Sequence, residues 1–395
     1  MFEEGMVSIS VALALVVAVA VFGFFLGLAY RPDPRPRAPR VRRGGFLHGL
    51  DALVDEPGHK AVDALLVALD VDDESADTHL AVGALLRRRG DLDKALRLHQ
   101  NLLARPQLAR EHRERAELEV ARDQLAAGEL VRAGRMLREI AERKGALQEL
   151  ALEDLLDLYE RDREWQDAVD VASRLFQLGH DEIRRRTAHA CCALAEQTLD
   201  AGNALAARAH FADALNWDEG CVRASLALGR LEGEAGRWRD AIAVLRRFEE
   251  QDPRFLSEAL PLLATAHREL GAERDFVSLL ERWHEAHGST TVALELADLL
   301  AGRSGEAAAR KFLADALAAR PTVRGLVSTL ERERSVDDEL GEGLEALRAL
   351  ATRLEDDADR YRCDECGRGG DLLHWQCPDC GAWGTTAPVR GLLGD

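Results

Sequence analysis

Cys363, Cys366, Cys377 and Cys380 are the residues of this chain best equipped to do chemistry. They stand in the run CDECGRGGDLLHWQCPDCG, as two C-x2-C knuckles separated by ten residues. In each knuckle one tight turn aims two thiolates at a single point. Gly367 and Gly381 follow the pairs, where backbone amides must turn toward the sulfurs. Two such knuckles complete a tetrahedral four-sulfur site, the geometry of a structural zinc or of a single rubredoxin-type iron. The spacing predicts one bound ion. Two disulfides are the competing reading, and they require an oxidising compartment. The segment from Tyr361 to Asp395 is too short to bury a sufficient apolar core, and a metal supplies the missing stability. An iron held this way carries one electron, but no second redox centre is visible in the sequence. A structural ion is the plainer role. Trp375 and Trp383 are expected to pack beside the knuckles or to dock the small domain onto the last helices before it.

No other run promises catalysis. The chain contains no G-x4-G-K-[ST], no G-x-S-x-G and no dinucleotide fingerprint. His284-Glu285-Ala286-His287 places its histidines three apart, whereas a zincin helix needs them four apart, so they read as solvated polar residues. Cys191, Cys192 and Cys221 read as small buried filler. The stretch Glu331–Glu342 reads as a solvated face or loop. No catalytic residue is assigned, and the chain is expected not to be an enzyme.

What positions the knuckles begins at the other end. From Val7 to Tyr30 no residue is charged. As a helix this run rises about 36 Å, enough for a hydrocarbon core of about 30 Å. Glu3 and Glu4 at its start, and Tyr30-Arg31-Pro32 after it, do not fit a cleaved signal peptide. An uncleaved anchor is expected. Gly23 and Gly27 form a G-x3-G pair that permits a helix–helix contact in the membrane. Arg31, Arg35, Arg37, Arg40, Arg42 and Arg43 follow the span, and no Lys or Arg precedes it. The basic flank places the N-terminus outside and the bulk of the chain in the cytoplasm. Thiols stay reduced there, which favours metal over disulfides. Pro32, Pro34, Pro36 and Pro39 keep the strip extended, as a spacer or as a contact for anionic headgroups.

The net charge is −18, of which residues 1–30 carry −2, residues 31–43 carry +5 and residues 44–395 carry −21. So acidic a body excludes nucleic acid as a partner, because phosphate binding needs a basic surface. Aromatics are 5%, and Ala and Leu abound, which favours helices.

The body repeats. A small residue, usually Gly, stands five positions before a residue that is usually Ala, at Gly90/Ala95, Gly128/Ala133, Arg163/Ala168, Gly202/Ala207, Gly236/Ala241 and Gly271/Phe276. Ala61 extends the series backwards. Successive second members are 34, 38, 35, 39, 34 and 35 residues apart. A period near 34 is that of tetratricopeptide (TPR) helix hairpins. The best copy runs from Ser225 to Pro253, with Gly229 at a close helix approach, Gly236 at the turn, Trp238 at the entry to the second helix and Pro253 at the stop. About seven clear hairpins are expected, and one or two weaker ones after Ser289. Stacked hairpins form a superhelix whose inner face binds proteins. The fold class is all-α, with an anchor over 1–30, a linker over 31–47, a TPR array over 48–355 and a four-cysteine domain over 356–395. That domain is expected to dock on the C-terminal end of the array.

This order resembles the lipopolysaccharide assembly protein B family of Gram-negative bacteria. The resemblance rests on YRCDECG, LHWQCPDCGAWGTTAPVRGL, THLAVGALLRRRGDLDKALRLHQ and REWQDAVDVASRL. It implies that Cys363, Cys366, Cys377 and Cys380 hold one iron or zinc ion. It implies an inner-membrane adaptor that helps the AAA+ protease FtsH degrade LpxC, the deacetylase committing precursor to lipid A. Other lipopolysaccharide-synthesis or envelope proteins, and further copies of the chain, are partners it allows. The Pro/Arg strip departs from the family pattern. A generic envelope scaffold and a rubredoxin-type electron carrier are the alternatives.

Overall fold

The computed structural model describes residues 75–332 and 338–395. The run Val7–Tyr30 with Gly23 and Gly27, the Arg/Pro strip and the copy around Ala61 lie outside the described residues. Among those described, no helix is long and apolar enough to cross a membrane.

The heptad-free, Ala/Leu-rich body folds as antiparallel helix pairs. They are α1 (Ala76–Arg88) with α2 (Leu92–Leu103), α3 (Arg110–Ala126) with α4 (Leu130–Glu142), and α5 (Gln148–Asp162) with α6 (Trp165–Gln177). There follow α7 (Ile183–Asp200) with α8 (Ala204–Trp217), and α9 (Val222–Glu234) with α10 (Trp238–Leu245) and the short α11 (Phe248–Gln251). A 3-10 turn at Pro253–Phe255 leads into α12 (Leu256–Glu269), which pairs with α13 (Glu273–His287). The last pairs are α14 (Thr290–Ser304) with α15 (Glu306–Ala319), and α16 (Val323–Arg332) with α17 (Asp338–Asp356). Six clear hairpins of the repeat thus lie within the described residues, and two more follow Ser289. Part of the stretch expected as a solvated face or loop is helical, since α17 begins at Asp338. The most regular copy in sequence has a second helix split in two, at Arg246 and Arg247.

The repeated small residues have distinct jobs. Gly90, Gly128, Gly202, Gly236 and Gly271 all take φ between 62° and 82°, the left-handed turn that ends a first helix. Arg163 does the same at φ 60° and is the only non-glycine with positive φ among the described residues. Its turn keeps the usual bond, Glu164 N–H to Tyr159 O at 2.9 Å, so the geometry is imposed by the repeat. Arg163→Gly relieves a side chain of that backbone, and a gain of about 0.5–1 kcal/mol is expected. A higher urea midpoint at unchanged slope checks it. The alanines five positions later serve packing: Ala95, Ala133, Ala168, Ala207 and Ala241 are fully buried. Gly229 is a contact point, since a Cβ there would stand 2.7 Å from Leu245 Cδ2.

Neighbouring first helices are also tied by arginine–carboxylate pairs. Arg87 of α1 meets Glu119 and Asp123 of α3, both at 2.7 Å. Arg122 of α3 meets Asp154 of α5 at 2.7 Å, Arg186 of α7 meets Glu160 of α5 at 2.7 Å, and Arg223 of α9 meets Glu196 of α7 at 2.7 Å. These part-buried pairs fix the register between repeats and charge the face that first helices present.

The chain ends in a small antiparallel sheet of order β2-β1-β3, made of β1 (Tyr361–Cys363), β2 (Gly369–Gly370) and β3 (Thr386–Pro388). Cys363 pairs with Thr386, and Tyr361 with both Gly370 and Pro388.

Candidate metal centre and the face it occupies

Cys363 ends β1, and Cys366 follows in the turn to β2. Gly367 N–H closes that turn onto Cys363 O at 2.9 Å, with φ at 78°. The second knuckle repeats the device: Gly381 N–H bonds Cys377 O at 2.8 Å, with φ at 72°. The sequence places glycine at these two points because a side chain would strain the turn. All four sulfurs lie within 4.8 Å of one another. Cys363 and Cys380 are 3.8 Å apart, Cys366 and Cys377 3.6 Å. Sulfurs about 2.3 Å from one ion at tetrahedral angles stand about 3.8 Å apart. The donor set therefore fits a single tetrahedral ion, and the same spacing suits zinc and iron.

Local donors prepare the thiols. The Thr385 hydroxyl, 3.3 Å from Cys363 Sγ, and the Cys366 amide hold the Cys363 thiol down at about 6. The Cys380 amide lowers Cys377 in the same way. The first thiol of each knuckle is thus the more acidic of its pair, and a bound cation would complete the ionisation.

The knuckles do not stand free of the array. The Trp383 ring stacks on His189 of α7 at 5.2 Å and meets Trp165 edge-on at 6.4 Å. Its indole N–H donates to Glu160 of α5 at 3.3 Å, and Arg223 of α9 lies 5.8 Å over the ring. Trp375 stacks on Phe255 at 5.9 Å. Arg254 bonds Asp364 at 2.9 Å, and the Tyr361 hydroxyl donates to Glu258 of α12 at 2.6 Å. Beyond β3 the tail continues along the same face. Val323 N–H of α16 donates to Leu392 O at 2.8 Å, and Ser289 and the Thr291 amide at the start of α14 both donate to the Asp395 carboxylate at 2.6 Å.

This footprint corrects in part the expected docking on the C-terminal end of the array: the tail does reach α14 and α16, but the two tryptophans do not. The module lies along the first helices from α5 to α16, and its anchoring tryptophan sits at mid-array. The reason is physical: the stacking partners of Trp383 and Trp375 are His189, Trp165 and Phe255, well before the last hairpins. Sequence reasoning singled out the tryptophans but missed their receivers. His189, in AHACC, was the findable one, since an imidazole on an otherwise Ala/Cys helix face is out of place. His284 also differs from the solvated reading. It packs on Phe312 at 5.2 Å, and burial, with help from Arg320, lowers its pKa. Cys191, Cys192 and Cys221 are buried, at 3%, 0% and 3% exposure.

With this geometry in hand, known proteins can be compared. A family model described as "Rubredoxin metal binding domain" matches residues 361–388, the span from β1 to β3. Lipopolysaccharide assembly protein B of Escherichia coli strain K12 is 34% identical over 355 residues, covering 88% of this chain and 90% of the relative. The protein of that name from Haemophilus influenzae is 30% identical over 357 residues, covering 87% and 89%. Solved structures overlap only loosely. The crystal structure of MamA is 18% identical and covers 46% of this chain and 94% of its own, at a TM-score of 0.33. A tetratricopeptide repeat protein from Parabacteroides merdae is 15% identical and covers 71% and 99%, at 0.32. Identity of 30% or more over nearly nine-tenths of the chain leaves one conclusion: the chain belongs to the lipopolysaccharide assembly protein B family.

Proposed function

We propose that this chain is a non-enzymatic adaptor of the bacterial inner membrane. In this reading the N-terminus is periplasmic, the array and metal module are cytoplasmic, and one iron or zinc ion sits on the four cysteines. The adaptor brings LpxC to FtsH and so sets the supply of lipopolysaccharide precursor. It also gathers other lipopolysaccharide-synthesis proteins. The observation that carries the reading is family membership across nearly nine-tenths of the chain. The structure supports it chemically, with an array of TPR hairpins that offers a protein-binding face. Its α5-to-α16 part is shared with a metal module, so metal state and client access meet on one surface. An anchor adds effective concentration for a membrane-bound protease.

The test is depletion of the protein in cells followed by measurement of LpxC. Its level should rise severalfold, and lipopolysaccharide should be overproduced. A chain lacking residues 1–30, or one lacking the metal, should restore turnover poorly at native abundance. Unchanged LpxC on depletion would leave a generic envelope scaffold as the better description.

A further inference from the structure

Cys192 and Cys221 form a second pair of thiols, remote in sequence from the knuckles. Cys192 lies in the middle of α7, and Cys221 caps the N-terminus of α9. Both are buried, and their Sγ atoms stand 3.9 Å apart. The two differ in acidity. Cys221 is drawn down by the Cys192 thiol that bonds it and by the Ala224 amide in the first turn of α9. Burial pushes Cys192 up. A thiol at a helix N-terminus 3.9 Å from a protonated partner is the pairing of an attacking and a resolving cysteine, and because both are buried a small peroxide reaches them only through local opening of α7 against α9.

The pair lies beneath the platform that receives Trp383. His189, which stacks on that ring, precedes Cys192 by one helical turn. Glu196 follows Cys192 by one turn and holds Arg223, two residues after Cys221, at 2.7 Å. Arg223 also donates to His189 O at 3.2 Å and covers the Trp383 ring. Whatever moves the two sulfurs moves the residues that grip the metal module.

We propose that Cys192 and Cys221 are a redox modification site, closing to a disulfide under a hydroperoxide and thereby loosening the array's hold on Trp383. The Cys221 thiolate attacks the peroxide, forming an S–O bond as the O–O bond breaks and hydroxide leaves. Hydroxide takes the Cys192 proton and becomes water. The Cys192 thiolate then attacks the Cys221 sulfenic acid, the S–S bond forms, the S–O bond breaks, and the departing hydroxide is protonated to a second water. Two thiols and one hydrogen peroxide thus give one disulfide and two waters. A dithiol reductant reverses it by exchange. The sulfurs must close from 3.9 Å to about 2.05 Å, and α7 and the start of α9 take up the difference.

The experiment uses the full, metal-loaded chain, treated with graded hydrogen peroxide and blocked with N-ethylmaleimide before metal is released. Peptide mapping should find Cys192 joined to Cys221, reversibly with dithiothreitol, while Cys191 stays unlinked and is alkylated once the chain is denatured. Amide exchange around Trp383 should quicken severalfold in the oxidised form. Cys221→Ser and Cys192→Ala should each abolish both effects, and either variant suffices if the other fails to fold. Thiols that stay reduced at doses that already oxidise the knuckles, or that reach sulfinic acid unlinked, overturn the proposal. So does a linked peptide with no change at Trp383.

Discussion

Cys366→Ser should strip the chain of its ion and unfold residues 361–388 while leaving the hairpins helical. Removing one of four donors destroys a site whose sulfurs match a single tetrahedron at 3.6 and 3.8 Å. The sheet it supports has strands of three, two and three residues. A structural zinc supplies about 10 kcal/mol or more to such a module at neutral pH, far beyond what so small a sheet provides. Elemental analysis should fall from one ion per chain to none. Amide exchange across β1 and β3 should rise toward that of an unfolded peptide. The array is a sum of neighbouring hairpin contacts, so its far-ultraviolet circular dichroism should barely move. The footprint should change more than the helices do, since Trp383, Trp375 and Tyr361 all lose their geometry together. A wild-type chain with neither iron nor zinc, or a variant whose β1 and β3 stay protected, would defeat the assignment of the metal.

The convergence of the four sulfurs was legible in the sequence, because knuckle spacing and its glycines are local constraints. Gly367 and Gly381 must turn where they stand, whatever the rest of the chain does. The hairpins were legible for a related reason. A left-handed turn residue followed five positions later by a buried alanine recurs often enough to survive the exception at Arg163. Where the module docks was not legible. That depends on a ring at 189 meeting a ring at 383, and no periodicity relates positions so far apart. The split of the second helix after Leu245 was hidden too, since Arg246 and Arg247 are good helix formers by propensity. The polar pairs between first helices were not legible either. Their meaning comes only from the neighbour in the next repeat, as with Arg122 and Asp154.

Acid should loosen the module from the array before it unfolds the hairpins, and His189 should be the cause. Its ring is 4% exposed, stacked on Trp383, and no partner for Nδ1 is present among the described residues. Burial holds its pKa down at about 3, with Arg223 and Arg185 adding repulsion. A solvated histidine titrates near 6.5. The docked state therefore refuses a proton that the undocked state accepts. Docking is at full strength above about pH 6.5 and is lost progressively as the pH falls toward 3. Between pH 7 and 5 the docking constant should drop by up to about twentyfold. The knuckle thiols do titrate, so exchange around Trp383 must be read on metal-loaded chains alone. His189→Phe keeps a buried ring against Trp383 and removes the proton. Its docking should be flat over that range while wild type loosens. If both weaken in parallel, His189 is not the sensor.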